Sequence, residues 1–236
     1  MNKIKTIFLT VSLLNFSQTL SAQQIADEHY LDSIKVEFQK KWPKNRTINL
    51  VFHGHSVVAG YFKTPEVRTL EAYPFLTLKY TKEIYPIAVI NSITTAIGGE
   101  NAEKGATRFK SEVLSYKPDV LFIDYALNDH NIGLERAKIA WIQMINEAKE
   151  YGTKIVLFTP TPDLKENILD NETTLAKHAE QIRELAKTYQ VGLIDSYTIF
   201  KNIAQNEPLD SYMAQKNHIN EKGHDLVAKE IMKYFK

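Results

Sequence analysis

Ser56 lies in the stretch Phe52-His53-Gly54-His55-Ser56-Val57-Val58-Ala59-Gly60, where an apolar run, Ile48 to Phe52, empties into a turn of small residues. A serine hydroxyl performs acyl transfer only with a base to take its proton and donors to hold the oxyanion that attack creates. The chain offers candidates for each part. His218, in Lys216-Asn217-His218-Ile219-Asn220-Glu221, stands just ahead of the last helical pattern, from where it can reach back as a general base. Asn128, in Asp124-Tyr125-Ala126-Leu127-Asn128-Asp129-His130, follows an apolar run and carries an amide donor. Gly98-Gly99 precedes a helical pattern; a backbone N–H approaches a ligand closely only where no Cβ obstructs, and a helix start favours negative charge. Each residue also has an ordinary structural use: Asn and Asp form turns after strands, paired glycines make tight turns, and polar residues start helices. The weight rests on the set and its order.

The elements that must position this set alternate along the chain. Short apolar runs at Ile48–Phe52, Ile87–Ser92, Val120–Tyr125, Ile155–Phe158 and Val191–Ile194 read as strands. Between and around them, helical patterns cover Ala26–Trp42, Arg68–Glu83 (with Pro74 as a break or kink), Ala102–Tyr116, Gly133–Glu150, Glu172–Tyr189 and Glu221–Tyr234. Strand–helix alternation with continuous apolar strands predicts a parallel sheet covered on both faces. Its ligand crevice lies outside the carboxyl ends of the strands. Ser56, Gly98-Gly99, Asn128, Asp163 and Asp195 all fall at such ends.

Composition narrows the classes. The 236 residues are 44% hydrophobic, enough for one sizeable core, and no internal repeat interrupts them. Twenty-nine basic and 28 acidic residues leave a net charge of +1, which gives nucleic acid no electrostatic footprint. Lys3 and Lys5, the apolar stretch Ile7 to Phe16 and Leu20-Ser21-Ala22 form the pattern of a secretory leader over residues 1–22, with one domain expected over 23–236. The absence of cysteine leaves no disulfide and no thiol for a lipid anchor. The expectation is an exported, periplasmic or secreted bacterial protein without a membrane anchor. His53 and His55, with Asp124, His130 and His224, offer metal-type ligands, but their order matches no metal motif, and neither a metal nor a cofactor is expected. Tyr61 and Tyr125 are expected as walls of the crevice, Trp141 as helix-face core, and His224 as a structural residue.

Taken in order, serine, glycine, asparagine and histidine at these positions resemble the SGNH hydrolases, the GDSL esterase/lipase family. The first block, usually Gly-Asp-Ser, is Gly54-His55-Ser56. The second places its glycine at Gly99. The third, Gly-x-Asn-Asp, is Ala126-Leu127-Asn128-Asp129, and the fifth, Asp-x-x-His, ends at His218. The Gly-x-Ser-x-Gly elbow of α/β-hydrolases is not met, because Val58 stands where its second glycine belongs. The resemblance implies a three-layer α/β/α, flavodoxin-like fold around a five-stranded parallel sheet. It also implies Ser56 as nucleophile, His218 as base, and Gly99 and Asn128 as oxyanion donors.

Three departures follow. His55 replaces an aspartate, Ala126 replaces a glycine, and Gln215 stands three residues before His218, where the family has an acid. Glutamine cannot stabilise an imidazolium by charge, but its oxygen can accept from the ring and fix the tautomer. A dyad assisted by Gln215 or a backbone carbonyl is expected first, and Asp210 second. The resemblance, with the leader pattern, points to hydrolysis of small acyl esters, acetyl above all, on polysaccharides or oligosaccharides. The alternatives are a lysophospholipase- or thioesterase-type hydrolase, and a non-catalytic carbohydrate-binding relative.

Overall fold

A computed structural model describes residues 25–236; the leader expected over residues 1–22 lies outside them. Five strands, β1 (Thr47–Gly54), β2 (Val89–Thr94), β3 (Val120–Asp124), β4 (Lys154–Phe158) and β5 (Gly192–Ile194), form one sheet in the order β2-β1-β3-β4-β5. All four neighbouring pairs are parallel. Because side chains alternate across a strand, continuous apolar runs feed both faces. On one face Leu50, Phe52, Phe122 and Phe158 pack with residues of α1 (Asp32–Phe38), α3 (Tyr73–Ile84) and α8 (Glu221–Ile231). On the other, Val51, Leu121, Ile123 and Leu157 pack with α4 (Ala102–Glu112), α5 (Leu134–Glu150) and the Ile182–Leu185 side of α6 (Thr174–Tyr189). The result is the three-layer α/β/α arrangement expected from the sequence.

The chain leaves β1 for the edge strand β2, then returns across β1 to β3. This reversal is the switch point at which open α/β sheets leave a crevice. The register pairs Gly54 with Asp124, so the chain exits β1 toward Ser56 and β3 toward Asn128 at the same level of the sheet. Gly54 is required there: a Cβ would lie 2.3 Å from the Asp124 carbonyl oxygen.

Several boundaries differ from the sequence expectation. The first helical pattern is a 3-10 turn, Glu28–Leu31, followed by α1, which stops at Phe38, well short of Trp42. Pro74 does not break the next helix. It sits in the first turn of α3, which begins at Tyr73, where a missing N–H has no cost. Four of the labelled elements escape the sequence reading: α2 (Ser56–Ala59), α7 (Ser196–Ala204) and the two strands of an antiparallel pair, β6 (Met213–Gln215) and β7 (His218–Ile219). The pair is too short to carry a period-two signal, yet it delivers His218.

Candidate active site

Ser56 opens α2, a single helical turn capped by its neighbours. His55 Nδ1 accepts the Val57 N–H at 3.2 Å, and Gly60 closes the turn at φ 86°. His218 arrives from the far end of the chain on β7. Its Nε2 lies 2.9 Å from Ser56 Oγ. Both residues are nearly buried, 8% and 5% exposed, which keeps bulk water from most of the pair. Burial lowers the His218 pKa below its ordinary value, against the opposing effect of its bond to a backbone carbonyl.

That carbonyl belongs to Phe62, whose oxygen lies 2.9 Å from His218 Nδ1. The Phe62 loop is fixed by its own closure. Phe62 N–H donates to Glu66 O at 3.1 Å, Arg68 N–H donates to Gly60 O at 2.8 Å, and Tyr61 bridges Val67. The Phe62 ring stacks on His224 at 5.0 Å. Gln215 also reaches Nδ1, at 2.9 Å, but with its amide nitrogen. This reverses the expected acceptor role. The Gln215 oxygen is taken by the Thr64 N–H at 3.0 Å, so only the NH2 group is left to face the ring. Asp210 is exposed in a 3-10 turn, Leu209–Tyr212, and makes no hydrogen bond to His218. Asp163 and Asp195 are also elsewhere: Asp163 accepts from Lys165 N–H, and Asp195 caps α7 and pairs with Arg183.

The Gly99 loop is tied to the serine turn by main-chain bonds that extend the β1–β2 ladder. Thr95 N–H donates to Phe52 O at 2.9 Å and Ile97 N–H to Gly54 O at 3.1 Å. Gly99 sits at φ 75°, where a side chain would be strained whatever the space around it. Asn128 joins this loop directly, its Nδ2 donating to Glu100 O at 2.9 Å. One of its two amide hydrogens is thus committed, leaving the other for a ligand. Among the described residues, the Ser56 and Gly99 N–H groups have no backbone acceptor.

A buried polar cluster beneath the loop was not foreseen. Glu100 is 6% exposed. Its carboxylate accepts from Arg108 Nε at 2.9 Å, from Arg108 Nη2, and from Tyr125 OH at 2.7 Å. Arg108 also donates to Thr95 O, and Tyr125 OH lies 3.1 Å from His53 Nε2. Tyr125 is therefore part of an internal strut and not a crevice wall. Tyr61 lies beside His218, with the two ring centroids 6.1 Å apart. The sequence signal was a carboxylate and a guanidinium eight residues apart astride a helix start, which by itself suggests only a solvated pair.

The two histidines flanking Gly54 part company. His53 faces Tyr125 and Phe109. His55, no longer in the strand, turns its Nε2 to 3.3 Å from Asp124 Oδ1, whose other oxygen accepts from Tyr73 OH at 2.9 Å. His224 Nδ1 accepts the Tyr73 N–H, a structural role. Trp141 is buried, and its indole N–H donates to Asp129 at 2.7 Å. Among the described residues no cluster of three metal-type ligands forms.

The family model for GDSL-like lipases and acylhydrolases matches residues 52–226, from the end of β1 into α8. This chain belongs to the GDSL-like lipase/acylhydrolase family. Members of the family are carboxylic ester hydrolases, and this chain is one. A relative, the uncharacterized lipoprotein YqeF of Bacillus subtilis (strain 168), is 21% identical, with 59% of this chain and 68% of the relative covered. Axe2, an acetylxylan esterase from Geobacillus stearothermophilus, shares the fold with a TM-score of 0.70 at 17% identity, over 80% of this chain and 94% of Axe2. The acetyl xylan esterase AlAXEase does so with a TM-score of 0.64 at 22% identity, over 78% of this chain and 98% of its own. Axe2 has been solved as catalytic mutants at a serine, an aspartate and a histidine, the aspartate three positions before the histidine. In this chain the residue three positions before His218 is Gln215.

Proposed function

We propose that this chain removes small acyl groups, acetyl first, from polysaccharides or oligosaccharides through an acyl-enzyme on Ser56. The observation that carries the reading is the 2.9 Å approach of His218 Nε2 to Ser56 Oγ. Oγ attacks the acyl carbon as Nε2 takes its proton. The tetrahedral oxyanion is met by the N–H groups of Ser56 and Gly99 and by the free Asn128 amide hydrogen. The C–O bond to the sugar then breaks, and the proton on Nε2 passes to the leaving oxygen. Water repeats the sequence on the acyl-enzyme: Nε2 takes its proton, acetate leaves and the serine hydroxyl is restored.

Two fold neighbours named as acetyl xylan esterases support acetyl as the acyl group and a glycan as its carrier. The leader pattern over residues 1–22 supports a site of action outside the cytoplasm. The test is labelling of Ser56 by an organophosphonate probe, followed by acetate release from acetylated xylan or pectin fragments. Ser56→Ala should abolish labelling and lower kcat/KM by more than about 10³-fold. Normal turnover by Ser56→Ala overturns the mechanism. A preference for long-chain esters replaces the acetyl assignment with a lysophospholipase- or thioesterase-type one. Absence of both labelling and turnover leaves a carbohydrate-binding relative.

A further inference from the structure

Gln215 occupies the place from which a carboxylate would face His218, and two backbone groups fix how it does so. The Thr64 N–H is a donor in every protonation state and lies 3.0 Å from Gln215 Oε1. The amide is thereby oriented, with its NH2 group 2.9 Å from His218 Nδ1 and 3.3 Å from Asn217 Oδ1. The Phe62 carbonyl is an acceptor in every state and lies 2.9 Å from the same ring nitrogen. One ring atom therefore faces a donor and an acceptor at equal distance. With a proton on Nδ1, the ring bonds Phe62 and turns the Nε2 lone pair to Ser56, ready to act as a base. Without it, Nδ1 accepts from Gln215 and the ring presents Nε2–H to Ser56, where it can take no proton. A doubly protonated ring sets its Nδ1–H against the Gln215 NH2.

We infer that Gln215 is a positioning residue that restrains His218, drawing the ring toward the idle tautomer and away from the imidazolium, while the Phe62 carbonyl alone draws it toward the working one. The inference rests on the Ser56–His218 reading above. Its consequence is an esterase that gives up turnover and keeps its base uncharged into more acidic solution, which suits a reaction that releases acid. Other titratable groups around the ring are His55 at the serine turn, His224 on α8 and Tyr61 on the loop between them. On that loop and at the α8 start, Arg68 pairs with Glu66 and Glu221. None of these lies between Gln215 and Nδ1.

Gln215→Glu changes one atom pair: one carboxylate oxygen keeps the Thr64 N–H, and the other accepts from Nδ1–H. The variant should raise kcat/KM by about ten- to a hundredfold, the worth of one charge-assisted hydrogen bond. The acid limb of its pH–rate profile should move up by about one to two pH units. An unmoved limb with unchanged kcat/KM overturns the inference. Should that variant fail to fold, Gln215→Met removes the donor together with the acceptor of the Thr64 N–H; with a wild-type melting temperature as the control that the Thr64 loop holds, turnover at or above the wild-type level supports the inference, and a tenfold loss overturns it. Organophosphonate labelling of wild-type Ser56 is measured first. Failure to label sinks the serine mechanism, whereas labelling with an unmoved Gln215→Glu profile sinks only the restraint.

Discussion

Moving the protein from pH 7 to pH 5 should cost it stability through three histidines that burial keeps neutral. His53, His178 and His224 are 0%, 1% and 0% exposed. Burial lowers their pKa values to about 3, about 4 and about 3, with Arg108 adding to the effect at His53, His130 at His178 and His218 at His224. In the unfolded chain each titrates near 6.5. Between pH 6.5 and about 4 the unfolded state therefore takes up protons that the folded state refuses, and stability falls as pH falls. At pH 5 each histidine has withdrawn about 2 kcal/mol relative to pH 7. Asp129 acts in the opposite sense: burial raises its pKa to about 6, so the folded state binds that proton first. It returns about 1 kcal/mol over the same interval. The net loss is about 5 kcal/mol, a fall of about 10–20 °C in Tm for a chain of this size. Calorimetry or thermal melts at the two pH values measure it. His224→Asn, whose side-chain oxygen can take the Tyr73 N–H, should shrink the difference by about 2 kcal/mol. Equal melting temperatures at pH 7 and pH 5 would refute the reasoning.

Other perturbations address the site. Glu100→Gln places an NH2 group against Arg108 and Tyr125 and should destabilise the fold by about 3–5 kcal/mol, as breaking a buried pair does. Its kcat should drop while KM holds, because the Gly99 loop loses its strut; a melt and turnover both matching wild type would remove Glu100 from the account. Asn128→Ala deletes both the tie to Glu100 O and the free amide hydrogen, and should lower kcat by about 10²–10³ with an unchanged circular dichroism spectrum. A loss under threefold would exclude Asn128 as an oxyanion donor. Gly54→Ala forces a Cβ to within 2.3 Å of Asp124 O and should prevent soluble expression or lower Tm sharply. A variant that melts like wild type would show that β1 and β3 separate more easily at this end than their register implies.

The strands and most helices were legible because apolar runs and helical stripes recur at regular spacing; Ser56, Gly99, Asn128 and His218 stand out in the sequence only by their order, since each residue type alone is ordinary at a strand end or helix start. What was not legible has a common physical origin. Pro74 reads as a breaker in any window that begins at Arg68, yet within the first turn of a helix its ring is welcome. Gln215 reads as an acceptor until the Thr64 N–H claims its oxygen, a contact across 151 residues of sequence. The partnership of Glu100, Arg108, Tyr125 and His53 depends on the β1–β3 register and on the placement of α4, neither of which is written in any one segment. His55 and His53 share a strand face on paper, but β1 ends between them at Gly54, and the second turns away.

The orienting acceptor for His218 is a main-chain oxygen, and no codon specifies it. Any L-residue at position 62 carries the same carbonyl. The instruction to place it is dispersed over the closure of a loop: the left-handed Gly60, the Tyr61–Val67 bridge, and the Phe62 and Arg68 N–H bonds. A survey by single substitutions would thus find the packing of the Phe62 ring and pass over its oxygen. The His218 ring is held by an acceptor that point mutation at its own position cannot delete, which leaves position 215 free to carry a residue other than a carboxylate.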